Sequence, residues 1–118
     1  MKFTYVGQGV EGKITSLGHI TIASEFSLDS EGTMMYSFTK LSPPHHFHKA
    51  IGKYKAVHGL RHKPRFIEIP KCDHYHEGIT VAILIDIYNL GQPAWVRDII
   101  ERHIHGLGFN VDVYHEDN

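Results

Sequence analysis

Hydrophobic and polar residues alternate along the segment HITIASEFSL, residues 19–28. In an extended chain one face would carry Ile20, Ile22, Ser24, Phe26 and Leu28, and the other His19, Thr21, Ala23, Glu25 and Ser27. This period of two predicts a half-buried β-strand. The DSEG segment at residues 29–32 favours a turn, and TMMYSFTKL follows it. Together these segments predict a β-hairpin.

Four further segments have the composition of β-strands. Residues 2–10 carry β-branched and aromatic residues between glycines, as does the strand at residues 13–28 to which the alternating segment belongs, and RFIEI at residues 65–69 continues this character. GITVAILIDIYN, residues 78–89, is so continuously apolar that we expect a strand in the middle of the sheet, with both faces covered. FNVDVY, residues 109–114, predicts a final strand.

Two helices are predicted from start signals and helical spacing. Ser42 followed by Pro43 favours a helix start, and Gly59 favours its end. Its predicted inward face consists of Phe47, Ala50, Ile51, Tyr54 and Val57. Pro93 predicts the start of a second helix, which Gly106 and Gly108 end. Its predicted buried stripe consists of Val96, Ile99, Ile100, Ile104 and Leu107.

These elements predict an α+β fold in the order β-β-β-α-β-β-α-β, a mainly antiparallel sheet with two helices. The 118 residues suit one hydrophobic core, and no repeat or linker divides them, so we expect a single domain over residues 1–118.

Composition narrows the classes of protein. A formal net charge of −1 with 42% hydrophobic residues favours a folded protein over a disordered tail or a generally basic coat for nucleic acid. Cys72 is the chain's single cysteine, which excludes an internal disulfide and a thiolate zinc cage. No signal peptide is evident, and the apolar run at residues 79–85 is too short to span a membrane. We expect a cytoplasmic protein without a membrane partner.

Charge is unevenly distributed despite the near-zero total. Between Glu31 and Glu68 there are seven basic residues and no acidic one. Free N–H groups at the predicted helix start near Pro43 would add to this positive surface, as in anion sites. Phosphate is the expected anion. The predicted contacts are His45, His46, His48, Lys49, Lys53 and Arg61, with Lys63 and Arg65 farther out.

Two further features refine this anion site. Gly52 lies inside the predicted helix, where glycine costs about 1 kcal/mol relative to alanine. Close approach of another backbone or of a flat ligand would explain it. Tyr88, Trp95 or Tyr54 could stack on a base or a ribose. Contacts from the histidines would strengthen as the pH falls toward 6, because protonation adds charge.

The histidine clusters raise the question of a metal. HHFH at residues 45–48, HYH at residues 74–76 and HIH at residues 103–105 supply many imidazoles. On a helix, however, the rings of His103 and His105 would point about 200° apart. His74 and His76 could chelate an ion if their segment were extended. We expect neither a metal site nor a cofactor.

One motif points to catalysis. GHITIAS resembles one of the two His-x-Thr/Ser motifs of the 2H phosphoesterases, which implies that His19 acts as acid or base and that Thr21 holds a phosphate oxygen. No other histidine in the chain is followed two residues later by serine or threonine. The sequence therefore favours a binding protein over an enzyme and leaves this phosphodiesterase as an alternative.

Residues 37–60, SFTKLSPPHHFHKAIGKYKAVHGL, resemble small phage proteins of the Thoeris anti-defence family. That family sequesters cyclic ADP-ribose messengers. The resemblance implies an α/β homo-oligomer that binds a nucleotide-derived signal without cleaving it, in the host cytoplasm.

The function predicted from the sequence is therefore non-catalytic binding and sequestration of a phosphate-bearing, nucleotide-type small molecule, as by a phage inhibitor of host immune signalling. The predicted ligand-binding residues are His45, His46, His48, Lys49, Lys53, Arg61 and Tyr88. RNA or DNA, or an acidic host protein, are alternative partners of the same basic surface.

Overall fold

A four-stranded antiparallel sheet forms the centre of the molecule. The computed structural model describes residues 1–7, 11–15, 17–70 and 75–106. The strands are β1 (Lys2–Gly7), β2 (Ile14–Thr15), β3 (His19–Phe26), β4 (Thr33–Leu41), β5 (His45–His46) and β6 (Arg65–Glu68). The main sheet has the order β1-β3-β4-β6, and β2 pairs with β5 in a small second sheet. The helices are α1 (Lys49–His62), α2 (Tyr75–Tyr88) and α3 (Ala94–Gly106).

The predicted hairpin is the β3–β4 pair. Ser27 N donates to Thr33 O at 3.0 Å across the turn, and Gly32 takes a positive φ of 80° that other residues rarely adopt. The predicted division into two faces is correct, but the strand is not half-buried, because residues 19–24 are buried on both faces of the sheet. Ile20 and Ile22 are buried in the larger core, whereas Ala23 packs on the opposite face of the sheet.

The larger core lies between the sheet and the pair α2 and α3. Strands β1, β3 and β4 contribute to one side of it, and the two helices contribute the other. Its fully buried large residues include Tyr36, Ile20, Ile22, Leu84, Ile87, Ile100 and Ile104. Four residues of the predicted stripe on α3, Val96, Ile99, Ile100 and Ile104, are buried as expected. Leu107, Gly108 and the predicted strand at residues 109–114 lie outside the described residues.

Helix α1 covers the other face of the sheet and packs through small residues. Its buried residues are Ala56 and Leu60, which contact Ala23 of β3. A Cβ atom added to Gly52 would lie 2.6 Å from Thr21 Oγ1, and one added to Gly59 would collide with Ser37 Oγ. Helix α1 therefore lies as close to the sheet as it does because these two positions are glycine.

The predicted position and face of this first helix are wrong. It begins at Lys49 and not near Pro43, because His45–His46 pairs as a strand with Ile14–Thr15. Its predicted inward residues Ile51 and Tyr54 are 52% and 73% exposed. The hydrophobic pattern misled because the face against the sheet is largely glycine and alanine, with Leu60 as its large buried residue, and such a face carries little hydrophobic signal.

The predicted two-helix count is also wrong, since three helices lie within the described residues. The segment predicted as a mid-sheet strand is helix α2, with Ile79, Val81, Ile83, Leu84 and Ile87 all buried. An apolar run has no period that separates a covered strand from a covered helix. The α+β class and the mainly antiparallel sheet are confirmed.

Asp86 connects α2 to the sheet through two hydrogen bonds. Tyr36 Oη donates a hydrogen bond to Asp86 Oδ2, and Arg65 Nε donates to the same oxygen at 2.9 Å. Burial, together with the bond to Asp86, raises the pKa of Tyr36 above its usual range. The carboxylate thus joins β4, β6 and α2.

Within the described part of the chain, none of the helices combines the length and apolar character needed to cross a lipid bilayer.

Candidate ligand-binding site

A cleft of about 250 Å³ lies between the sheet and α1, and we call it the His19 cleft. Its sheet side consists of His19 and Thr21 of β3 together with Thr39 and Leu41 of β4. Thr21 and Thr39 are direct partners across the β3–β4 pair, as are His19 and Leu41. Strand pairing therefore places one imidazole and two hydroxyl groups side by side.

The other wall of the His19 cleft comes from α1 and from the segment before it. Helix α1 contributes Ile51, Gly52 and Lys55, and residues 45–48 contribute Phe47 and three histidines. Phe47 is buried, and hydrogen bonds from its backbone hold it in place: Phe47 N donates to Lys13 O, and Gly12 N donates to Phe47 O, both at 2.8 Å. The small β2–β5 sheet thus fixes the end of the cleft.

His19 is the most unusual group in this cleft. The residue is 3% exposed, and neither ring nitrogen has a hydrogen-bond partner among the described residues. Burial lowers the pKa of His19 to about 4, so the ring is neutral at pH 7. Buried polar atoms are nearly always paired, and leaving one unpaired costs about 1–3 kcal/mol. The Phe47 ring covers the imidazole, with a centroid distance of 4.2 Å.

The ionisable side chains in the described lining of the His19 cleft are all basic. Lys40 and Lys55 line it, and so do His45, His46 and His48, whereas none of its lining residues among those described is acidic. Lys40 Nζ donates to Gln92 Oε1 at 2.8 Å. His45 Nδ1 lies 2.7 Å from Ser42 O. Lys55 and His46 are thus the groups placed to meet an anion.

The start of α1 has an anion from the protein itself. Glu11 Oε2 accepts a hydrogen bond from Lys49 N at 2.8 Å, and Glu11 Oε1 lies 3.5 Å from His48 Nδ1. His48, the N-cap residue, makes no side-chain cap of its own. A carboxylate suits the positive end of a helix. The sequence predicted that the free N–H groups at the start of this helix would bind phosphate. At Lys49 N the Glu11 carboxylate takes the place of that anion.

Behind His19 and Phe47 lies a second cleft, of about 340 Å³, which we call the Tyr5 cleft. Its lining consists of Tyr5, Gly7, Glu11, His19, Phe47 and Lys49. Lys49 Nζ lies 4.6 Å from the centre of the Tyr5 ring. Because His19 and Phe47 line both clefts, the two side chains form the wall between them.

The structure brings together only part of the set of residues predicted to bind ligand. His45, His46 and His48 line the His19 cleft, and Lys49 lines the Tyr5 cleft. The other three lie elsewhere. Lys53 Nζ lies 5.1 Å from the centre of the Phe3 ring, Arg61 pairs with Glu25 at 3.1 Å, and Tyr88 Oη donates to Glu101 at 2.6 Å between α2 and α3.

Thr39, Lys55 and Phe47 line the cleft without having been predicted as contacts. Lys55 was part of the basic segment, so its charge was a usable signal. Thr39 could have been found through its place opposite Thr21 in the predicted hairpin. Phe47 could not, because its predicted helical position is wrong.

Within residues 1–7, 11–15, 17–70 and 75–106, no three histidine, cysteine, aspartate or glutamate side chains lie close enough together to hold a metal ion. Cys72 and His74 lie outside these ranges.

No protein-family model, curated protein or solved structure matches this chain. The resemblance of residues 37–60 to the Thoeris anti-defence family stays a prediction.

Proposed function

We propose that the protein binds a phosphate-bearing, nucleotide-type small molecule in the His19 cleft and holds it without cleaving it. The observation that carries the proposal is His19, whose two buried nitrogens have no partner. A ligand that supplies one acceptor and one donor there would recover the cost of burying them. Because the ring is neutral, one nitrogen donates a hydrogen bond and the other accepts one.

The phosphate would lie toward Lys55, His46 and His48. These residues line the cleft, and none of its described lining residues is a carboxylate, although His48 Nδ1 also lies 3.5 Å from Glu11 Oε1 of the neighbouring cleft. Phe47, Leu41 and Ile51 line the same space with apolar surface. A flat, partly apolar group joined to a phosphate fits this combination, and nucleotides have both parts.

The spread of the other cations favours a small molecule over a nucleic acid. Arg61 and Arg65 pair with Glu25 and Asp86, and Lys49 and Lys53 each lie over an aromatic ring. A duplex or single strand is bound through several free cations along one surface. Here the two arginines are paired, and only Lys40 and Lys55 of the segment's basic residues line the His19 cleft.

The resemblance of residues 37–60 adds a biological role to this proposal. Tight retention of an intact nucleotide messenger would make the protein an inhibitor of signalling by sequestration. An oligomer, also implied by the resemblance, would present several such clefts at once.

Charge reversal at Lys55 tests the site, with Lys63 as the matched control. Lys63 belongs to the same basic segment but does not line the cleft. Binding of ADP-ribose, cyclic ADP-ribose and cyclic dinucleotides would be measured by calorimetry. We expect Lys55→Glu to weaken the tightest of these ligands by more than about tenfold, the loss of a charged hydrogen bond, and Lys63→Glu to change it less than about twofold. Equal effects of the two substitutions would remove the His19 cleft as the binding site.

A second candidate function is phosphodiester cleavage, which one observation favours. His19 and Thr21 lie on the same face of β3 and line the same cleft, and a neutral imidazole can act as a general base. Ligand recovered after the protein is denatured distinguishes the two functions by chromatography. Intact ligand after prolonged incubation supports binding alone, whereas a product that His19→Ala no longer forms establishes the enzyme.

A further inference from the structure

The unpartnered buried polar atoms of the described side chains gather at one place. They are Tyr5 Oη, His19 Nδ1 and His19 Nε2. The centroids of the two rings are 6.1 Å apart, and both residues line the Tyr5 cleft. Isolated unpaired atoms are tolerated singly in many proteins, but a neighbouring set at a cleft points to a ligand that completes their hydrogen bonds.

The two clefts share two lining residues. His19 and Phe47 line both, and Phe47 covers the imidazole. His48, which lines the His19 cleft, lies 3.5 Å from Glu11, which lines the Tyr5 cleft. Rotation of the Phe47 side chain would therefore join the two spaces and expose the nitrogens of His19, without any change in the strand pairing that holds the Phe47 backbone.

The two clefts differ in what they can recognise. The His19 cleft has cations and no acidic residue in its described lining, whereas the Tyr5 cleft has the Glu11 carboxylate and the Tyr5 hydroxyl. A carboxylate accepts hydrogen bonds only, and adjacent hydroxyl groups of a sugar are suitable donors. Lys49 N uses part of the accepting capacity of Glu11 and leaves further lone pairs.

We propose that the Tyr5 cleft binds the hydroxyl-bearing sugar end of the same ligand whose phosphate lies in the His19 cleft, with Phe47 turning aside so that Tyr5, Glu11 and His19 all reach the ligand. This inference rests on the proposed function and specifies its ligand class. The ligand is a phosphorylated ribosyl compound that spans both clefts, and a bare phosphate or pyrophosphate fills only one of them.

Two substitutions in the Tyr5 cleft test this proposal on the full chain. Tyr5→Phe removes only the hydroxyl, and Glu11→Gln removes the charge while keeping an acceptor for Lys49 N. The matched controls are Tyr54→Phe on the exposed face of α1 and Glu31→Gln in the exposed turn. The probes are ADP-ribose, which has both phosphate and ribose hydroxyls, and inorganic pyrophosphate, which has phosphate but no ribose. Calorimetry gives both affinities.

We expect Tyr5→Phe and Glu11→Gln each to weaken ADP-ribose about tenfold, the effect of one lost hydrogen bond in a buried site. Pyrophosphate should bind them as well as it binds the wild type, or more tightly after Glu11→Gln. Tyr5→Phe should also raise the midpoint of thermal unfolding of the ligand-free protein, because it deletes an unpaired buried hydroxyl. A residue with a merely structural role would not combine higher stability with lower affinity.

The outcomes separate the two proposals. ADP-ribose binding that depends on Lys55 but is the same in Tyr5→Phe, Glu11→Gln and their controls would overturn the second cleft and leave the proposed function standing. If the wild type binds neither of these probes, nor cyclic ADP-ribose or a cyclic dinucleotide, both proposals are overturned. If Tyr5→Phe lost binding of pyrophosphate as well as of ADP-ribose, the result would contradict the proposal that phosphate and sugar lie in different clefts.

Discussion

His19 is a buried imidazole without a hydrogen-bond partner among the described residues, and its ring is therefore neutral at pH 7. The lowering of its pKa to about 4 comes from burial, and no counter-charge offsets it. Its neighbours are the Phe47 ring, the Tyr5 ring and the hydroxyl-bearing strand face. Such a residue lowers stability, and a functional site is where proteins tolerate that loss.

The acid stability of the protein should reveal this histidine. In the unfolded chain imidazole titrates near pH 6.5, whereas in the folded protein His19 does so near 4. Between these values the unfolded state binds more protons, so the free energy of unfolding falls as the pH is lowered from about 6.5 toward 4, by up to about 3 kcal/mol. Above pH 6.5 this contribution is constant.

Urea denaturation of the wild type and of His19→Phe at several pH values measures this pH dependence of the free energy of unfolding. Burial also lowers the pKa of His103, which gives the variant a pH dependence of its own. The free energies of unfolding of the wild type and of His19→Phe should therefore differ least at neutral pH. Below pH 6 the difference should grow, with His19→Phe the more stable protein. Parallel curves across the whole range would show that His19 is not buried as a neutral ring.

Residue roles were only partly readable from the sequence. Alternation along β3 was enough to place His19 and Thr21 on one face of a strand. Glu11 was not predictable as the partner of Lys49, because the two are 38 residues apart and the small β2–β5 sheet brings them together. Contacts set by a two-residue strand pair leave almost no pattern in a sequence.

At the scale of elements, α1 depends on glycine where a helix usually disfavours it. Gly52 allows Thr21 to approach the helix and so sets the width of the His19 cleft. The sequence predicted a close approach at this position. It could not show that the approaching group is a strand side chain.

Alanine at Gly52 should destabilise the protein although it favours the helix. Propensity alone would stabilise by about 1 kcal/mol, but the new methyl group would lie 2.6 Å from Thr21 Oγ1, and overpacking of this kind costs about 1–3 kcal/mol. Chemical denaturation of Gly52→Ala, of Thr21→Ala and of the double variant measures the coupling. The penalty should shrink in the Thr21→Ala background.

Gly106→Ala is the control for helix propensity, since no heavy atom of the described residues lies within 4 Å of its added Cβ, and it should be neutral or slightly stabilising. A gain in stability from Gly52→Ala itself would contradict the close packing of α1.

Helix α2 shows why element type was harder to predict than element position. Its residues are rich in isoleucine and valine, which favour strands by propensity. Coverage by the sheet, by α3 and by the edge at β6 removes any polar face, and packing then overrides propensity. The length of the predicted segment, 12 residues at positions 78–89, was the signal that favoured a helix over a typical strand.

At the scale of the whole molecule, the basic segment is divided among several surroundings. A continuous positive surface was expected from residues 39–65. Folding pairs Arg61 and Arg65 with carboxylates from other elements and directs Lys55 and the histidines toward one cleft. The sequence could predict where the charge lies along the chain but not which charges are neutralised by residues distant in sequence.

The most direct test of a ligand held at His19 is the histidine side-chain nitrogen spectrum during titration with ADP-ribose, followed by chromatography of the recovered ligand. The signals of His19, His46 and His48 should shift together and saturate, those of His58 and His105 should stay in place, and the ligand should be recovered unchanged. Saturable binding that leaves the His19 signals where they were would contradict the proposed site, and a cleaved ligand would contradict the proposed function.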